Sequence, residues 1–325
     1  MSGFRLALAL IGGPILLLTM VDRAIVLDRP LWNWIAREAP PQQLDPLRVE
    51  AILRTTPSGR RNVFVLGDST AEAAVDPGAL DRALAPKGRL TGVISIGGAP
   101  TVTFGLLARS ILALDPSAVV LVVSPYTLRD EGFYDQTYTY DARVVPDLFV
   151  PSEILSHLSF HLQGLAGQAN VLFRHQNALQ RVAAIRLGLN TWTNLRIETL
   201  QAGIRASREK GPLLTWTTGK NPVHYPNPNT RAIALLARRL RARGAKLVVV
   251  ESPVHPLTGL YVGEKRYARF RKYLGRLAGE ERFTFVAAPD LPDFPLEEFR
   301  DQTHLNEVGR RAFTDAIAHK LDDLL

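Results

Sequence analysis

Val63-Phe64-Val65-Leu66-Gly67-Asp68-Ser69-Thr70 decides the fold. Four apolar positions, three of them β-favouring, run directly into a glycine, an acid and a hydroxyl. This is the pattern of a buried parallel strand that ends in a tight turn, with Ser69 opening the next helix. An α/β sheet places its chemistry at that edge, because the carboxyl ends of parallel strands open into a crevice. A serine there holds its own backbone N–H at a helix start, where a developing oxyanion is stabilised. The stretch reads equally well as a helix cap supplied by Asp68 or Ser69, so the choice rests on the rest of the chain.

Outward from this stretch, strand and helix alternate. The patterns predict a helix over Ala71–Leu84 interrupted at Asp76-Pro77, a strand over Gly92–Ile96 ending in Gly97-Gly98-Ala99-Pro100, and a helix over Phe104–Leu114 stopped by Asp115-Pro116. Ala118–Val123 is a continuous Val/Leu run, the mark of burial on both faces. A helix over Arg231–Arg243, closed by Gly244, precedes a strand over Lys246–Val250; a last strand over Phe283–Ala287 and a last helix over Glu307–Leu324 follow. The fold class is therefore α/β with a doubly wound parallel sheet. Between 126 and 229 the alternation stops. This insertion contains amphipathic stretches at Ser152–Leu162 and Gln176–Leu187, and it leaves from the carboxyl end of strand three, where lids and substrate-binding subdomains are placed. The domain plan is an N-terminal apolar segment over 1–28, a connector over 29–60, and an α/β domain over 61–325 carrying the 126–229 insertion.

Composition narrows the class. With 325 residues, 46% hydrophobic and 22% charged, the chain can bury a large core. A net charge of +8 comes largely from arginines dispersed along helices, such as Arg231, Arg238, Arg239, Arg241 and Arg243. Dispersed charge argues against nucleic acid as a partner and toward an anionic membrane surface or acidic polymer. The absence of cysteine removes disulfides, thiolate catalysis and thiolate metal sites.

Leu6–Val21 carries no charge. As a helix it would span roughly 24 Å against a hydrocarbon core of ~30 Å, a gap that tilt, thinning or recruitment of Ala24–Leu27 would close. No A-x-A cleavage site follows it directly, so an uncleaved signal anchor is expected. Trp32 and Trp34, just beyond, are placed as interfacial anchors, and Leu47–Leu53 as a short helix.

The chemistry lies near the other end, in Asp301-Gln302-Thr303-His304-Leu305-Asn306-Glu307-Val308-Gly309. A serine hydroxyl needs a base, and a histidine needs a carboxylate to hold its tautomer. Asp301 and His304 are one turn apart and follow the last strand, on the same sheet edge as Ser69. Of the other histidines, His157 and His161 share the i,i+4 spacing of a helical metal pair but lack a third ligand, so no metal or other cofactor is expected. They and His175 read as surface or lid polarity, and His319 as structural; His224 receives no role. His255, after strand four, and Tyr126, after strand three, are placed in the substrate pocket.

Together, Gly67-Asp68-Ser69 and Asp301-x-x-His304, with Asn306 and Gly309 after it, resemble the SGNH or GDSL-type hydrolase superfamily, which has a flavodoxin-like fold. Ser95-Ile96-Gly97 aligns with the second block of that family. The third block departs: Val123-Ser124-Pro125-Tyr126 stands where a Gly-x-Asn is usual. The resemblance covers 62–125 and 230–325. It implies Ser69 as nucleophile, His304 as general base and Asp301 as its orienting acid. It also implies an oxyanion hole from the N–H groups of Ser69 and Gly97, with Gly98 or Ser124 in place of the absent asparagine. Asp68 is left as a turn-stabilising residue.

An N-terminal apolar segment on such a core, without the third-block asparagine, is similar to the D-alanyl-lipoteichoic acid biosynthesis family and, more loosely, to exported alginate-type O-acetylation proteins. That resemblance implies acyl transfer to an envelope polysaccharide or glycolipid, outside the cytoplasmic membrane (periplasmic), beside a multispanning acyltransferase partner. An esterase of the same fold and a non-catalytic accessory protein of such an acyltransferase are the alternatives.

Overall fold

The computed structural model describes residues 16–37, 41–129, 140–171, 174–175, 179, 224–253, 255–256, 264–301 and 303–324. Helix α1 (16–27) leads into α2 (Arg29–Arg37) and α3 (Pro41–Thr55). The α/β core follows as β1 (Asn62–Gly67), α4 (Ser69–Ala74), α5 (Pro77–Leu84), β2 (Leu90–Ser95), α6 (Val102–Ala113) and β3 (Ala118–Val123). Three helices of the insertion come next, α7 (Val145–Leu148), α8 (Pro151–Ser156) and α9 (Leu158–Ala169). The core then resumes as α10 (Pro228–Arg241), β4 (Lys246–Glu251), α11 (Glu264–Glu281), β5 (Thr284–Val286) and α12 (Glu307–Leu324).

The five strands run in the order β2-β1-β3-β4-β5, and every pairing is parallel. This is the doubly wound, flavodoxin-like order, whose crevice opens where strands leave β1 in opposite directions. The three central strands are apolar along both faces because both are covered. Phe64, Leu66, Val119, Leu121, Leu247 and Val249 face one helical layer. Val63, Val65, Val120, Val122, Val248 and Val250, the alternate residues, face the other. The edge strands differ: β2 is mostly half-buried, and β5 is three residues long.

The sequence boundaries shift in instructive ways. The helix expected over Ala71–Leu84 starts two residues earlier, at Ser69, and breaks at Asp76-Pro77 as expected: Asp76 caps Ala79 N–H at 3.0 Å and Pro77 starts α5. The helix expected from Arg231 begins at Pro228, under a capping box in which Asn227 accepts from Thr230 N–H at 3.0 Å. The short helix expected over Leu47–Leu53 runs through all of α3. Trp32, expected at a membrane interface, is instead 2% exposed; it packs with Ile35, Leu47, Ala51 and Val171, and its Nε1 donates to the Ile25 carbonyl at 2.9 Å. Folding α2 back on α3 puts this face of the connector inside.

Residues 1–15, the greater part of the expected anchor, lie outside the described residues, as does most of the expected helix over Gln176–Leu187. Among the described residues no helix is long and apolar enough to cross a membrane. The described part of the insertion forms a third layer: Val144, Leu148, Phe149 and Phe160 pack on Val102 and Leu106 of α6 and on Ala232 and Leu235 of α10.

Gly67 closes β1 where the chain must turn tightly. A Cβ there would lie 2.4 Å from the Ala71 Cβ and 3.2 Å from the Val122 carbonyl oxygen. Gly67→Ala is expected to destabilise by about 1–3 kcal/mol through overpacking. The drop should be read as a lower urea midpoint at constant m-value, and an unchanged midpoint would contradict the fit.

Candidate active site

The turn after β1 is built around Asp68. Its carboxylate accepts from Thr70 N–H at 2.9 Å and Thr70 Oγ1–H at 2.6 Å, capping α4 and leaving Ser69 as the first helical residue. Burial pushes the Asp68 carboxyl up; the Thr70 hydrogen bonds and the charge of His304 oppose that only in part.

The second segment arrives from the far end of the chain. Phe299 and Leu305 form an isolated antiparallel bridge, and the loop between them is tied by Arg300 N–H to His304 O at 3.0 Å and Asn306 N–H to Glu298 O at 2.8 Å. Inside it, Asp301 Oδ1 accepts the backbone N–H groups of Thr303 and His304, each at 3.0 Å. The same carboxylate faces His304 Nδ1, at 2.8 Å from Oδ1 and 3.0 Å from Oδ2. His304 Nε2 lies 3.0 Å from Ser69 Oγ. The structure thus brings the three residues into one hydrogen-bonded row. Burial raises the Asp301 carboxyl pKa, but hydrogen bonding to His304, its charge and the two backbone N–H groups outweigh this and hold it well below the usual carboxylate range. The imidazole and carboxylate remain about one-fifth exposed, so a ligand can reach them.

Residues outside both sequence blocks set this alignment. Arg310 of α12 donates from Nε and Nη2 to the Val75 carbonyl at 3.1 and 3.0 Å, and Thr314 Oγ1 accepts from Asp76 N–H at 2.9 Å. These bonds pin α12, and the His304 loop at its start, to the end of α4. Asn306 caps α12 by accepting from Val308 and Gly309 N–H. The sequence signal for Arg310 and Thr314 is slight: both lie on the helix that follows the Asp-x-x-His block.

The remaining candidates sit on the same edge. Gly67 and Ser95 are paired at the ends of β1 and β2, so the turn through Gly97 and Gly98 lies beside the Ser69 turn, with Gly98 in the left-handed region at φ +69°. Ser124 is engaged locally: its N–H donates to Thr127 Oγ1 at 3.0 Å, and its Oγ accepts from Thr127 N–H at 3.3 Å. Tyr126 lies under the Arg129 guanidinium, 3.7 Å from the ring centre, and burial followed by the charge of Asp68 raises its hydroxyl pKa. His255 is buried, edge-on to Phe299 at 4.9 Å, with its pKa lowered by burial against a weaker pull from Asp301. The loops after β4 and β5 also enclose a cavity of about 560 Å³ lined by Pro253, Pro256, Leu291, Phe294 and Pro295.

Two histidines read as surface or lid polarity are buried. His161 Nδ1 meets Tyr140 OH at 2.9 Å, with Phe149 and Phe160 edge-on to the ring. His175 Nε2 meets Glu50 Oε2 at 2.5 Å. No cluster among the described residues could hold a metal ion.

No protein-family model matches the chain, and no curated protein matches its sequence. Solved structures do resemble it. TesA is 14% identical, with 81% of this chain and 99% of that one covered and a TM-score of 0.41. The acetyl xylan esterase AlAXEase is 15% identical, with coverages of 80% and 99% and a TM-score of 0.38. The periplasmic domain of a lipopolysaccharide acetyltransferase from Salmonella ser. Paratyphi A is 11% identical, with coverages of 93% and 99% and a TM-score of 0.43. Likeness at this level assigns neither substrate nor reaction.

Proposed function

We propose that the chain is a serine-dependent SGNH-type O-acyltransferase that moves an acyl group onto a cell-envelope polysaccharide or glycolipid, with hydrolysis as the outcome when water is the acceptor. The observation that carries this reading is the row Ser69 Oγ–His304 Nε2–His304 Nδ1–Asp301, at 3.0 and 2.8 Å. Ser69 Oγ attacks the acyl carbonyl while its proton passes to His304 Nε2. Asp301 holds the Nδ1–H and stabilises the imidazolium. Collapse of the tetrahedral intermediate breaks the bond to the leaving oxygen, which takes the proton from Nε2 and leaves an acyl-serine. An acceptor hydroxyl, deprotonated in turn by His304, then displaces Ser69 Oγ, which takes the proton back from Nε2. The N–H of Ser69 and the Gly97-Gly98 turn are assigned to the oxyanion. An asparagine at the third block would be a further donor; Ser124 stands there with its N–H and a lone pair of its hydroxyl engaged by Thr127.

The same proposal places the α/β domain outside the cytoplasmic membrane, held by the N-terminal apolar segment and served by a multispanning acyltransferase that delivers the acyl group. The uncharged Leu6–Val21 run and the exposed Leu16, Leu17, Leu18 and Met20 of α1 support the anchoring part.

A fluorophosphonate probe on the detergent-solubilised full chain tests the chemistry. Covalent labelling is expected for the wild type and absent for Ser69→Ala. Equal labelling of both proteins, or none of either, would remove the catalytic reading. Product analysis with p-nitrophenyl acetate and a glycan acceptor separates transfer from hydrolysis.

A further inference from the structure

Ile154–Phe173 is 20 residues without a single Asp, Glu, Lys or Arg, in a chain whose 22% charged content would place about four there. Much of its apolar surface is not buried. Leu155 is 72% exposed, Leu158 49%, Leu162 57% and Leu165 47%. Leu158, Leu162 and Leu165 recur at i, i+4 and i+7 along α9 and so share one face. The opposite face is filled: Phe160 and His161 are buried, and Gly164 admits the Tyr140 ring so closely that a Cβ would sit 2.3 Å from it. A helix apolar on both its inner and outer faces, yet on the surface, is waiting for a second apolar phase.

Two observations identify that phase. First, the end of this stretch joins the N-terminal arm: Val171 packs with Trp32 and Ile35, and with Ile25 and Val26 of α1, whose Leu16, Leu17, Leu18 and Met20 are likewise exposed. Second, the flank of α9 carries cations. Gln168 and Tyr140 border a cavity of about 440 Å³ lined by Arg54, Arg109, Arg143 and Arg174, against Glu50 and Asp141 as the acids among the described residues. Arg54 and Arg174 are engaged by Glu50 and Arg143 by Asp141, whereas Arg109 is exposed and has no ion-pair partner among the described residues.

We propose that the α9 leucine face, through Leu155, Leu158, Leu162 and Leu165, seats in the interfacial layer of an anionic phospholipid bilayer, with the arginine-lined cavity beside it receiving lipid phosphate. This is the chemistry of an interfacial helix, an apolar face below the headgroups and basic groups level with them. It goes beyond the N-terminal anchor, because it fixes which side of the α/β domain faces the lipid: the α6/α10 side, which carries the insertion. It does not depend on the acyl-transfer reading, and lipid contact is expected unchanged in Ser69→Ala.

The chain has no cysteine, so single reporters are clean. Leu162→Cys, labelled with an environment-sensitive nitrobenzoxadiazole dye in the full chain, should show a blue shift and a severalfold rise in emission on reconstitution into phosphatidylcholine–phosphatidylglycerol vesicles. Brominated acyl chains should quench it. The same dye at Asp315→Cys, exposed on α12 across the sheet, should stay aqueous. Arg109→Gln should weaken the preference for phosphatidylglycerol over pure phosphatidylcholine vesicles. The proposal is overturned if the Leu162 dye stays accessible to aqueous iodide in vesicles, or if both sites respond alike. Shielding that depends on protein concentration without lipid overturns it too, since the occupant is then a second copy. An unaltered lipid preference in Arg109→Gln overturns the headgroup assignment.

Discussion

Asp301→Asn is expected to lower kcat for ester turnover by about 10³–10⁴ while leaving KM and the fold in place. The geometry explains why so small a change is so costly. Asp301 Oδ1 is held by two backbone N–H groups, from Thr303 and His304. In the asparagine variant those donors keep the amide oxygen at the Oδ1 position. The NH2 group is then left where Oδ2 now stands, 3.0 Å from His304 Nδ1. An NH2 there offers a proton to Nδ1, in competition with the uncharged amide oxygen at 2.8 Å, and favours the ring proton on Nε2, the nitrogen that faces Ser69 Oγ at 3.0 Å. In that tautomer the ring cannot take the serine proton, and the amide no longer stabilises the imidazolium, although no atom need move. Because the wild-type carboxyl is held well below the usual range, it stays ionised throughout the pH window of such an assay. The acid limb of the wild-type profile therefore belongs to another group. Steady-state kinetics across pH, with circular dichroism to verify folding, tests this. Activity within tenfold of wild type would remove Asp301 from its orienting role.

This row was legible in the sequence to an unusual degree, and the reason is local. Gly67-Asp68-Ser69 ends an apolar run, and Asp301 lies one turn from His304. Each half therefore carries its own signature, and parallel topology alone puts both halves on one edge. The central strands were equally plain, since burial on both faces writes itself as uninterrupted Val and Leu. What local pattern does not carry was lost. Helix α11 carries no clear sequence pattern, because its buried Tyr267, Phe270, Leu274 and Leu277 are diluted by charges and by Gly275 and Gly279. Trp32 looked interfacial because it follows an apolar run, whereas its burial depends on α2 folding back against α3 and on Val171, far along the chain. His175 looked like surface polarity because its partner Glu50 is 125 residues away. Tertiary pairing of polar groups leaves no trace in spacing.

That buried pair carries the largest expected effect on stability. Glu50 accepts from Arg54 Nη2 at 2.6 Å and Arg174 Nη1 at 3.0 Å and meets His175 Nε2 at 2.5 Å, so one carboxylate ties α3 to the end of the described insertion. Glu50→Ala would leave four nitrogens on three residues without their acceptor, and two of those residues, Arg174 and His175, are largely out of water. Breaking a buried ion pair by deleting one member costs about 3–5 kcal/mol. The wild type should also show a dependence on acid. Burial alone would raise the Glu50 pKa, but the His175 hydrogen bond and the charges of His175, Arg174 and Arg54 overcome it and lower the pKa from 4.5 to about 2. A pKa depressed in the folded state stabilises above the unfolded value and loses that stabilisation as pH falls through the folded one. The Glu50 contribution, on the order of 3 kcal/mol, is therefore complete above about pH 4.5 and disappears toward pH 2. Glu50→Gln keeps the shape and removes the titration. Its stability deficit relative to wild type, measured by urea unfolding in detergent, should be constant above about pH 5 and shrink steadily below about pH 4.5. A deficit that stays constant through that window would show that the charge on Glu50 is not what joins the connector to the insertion.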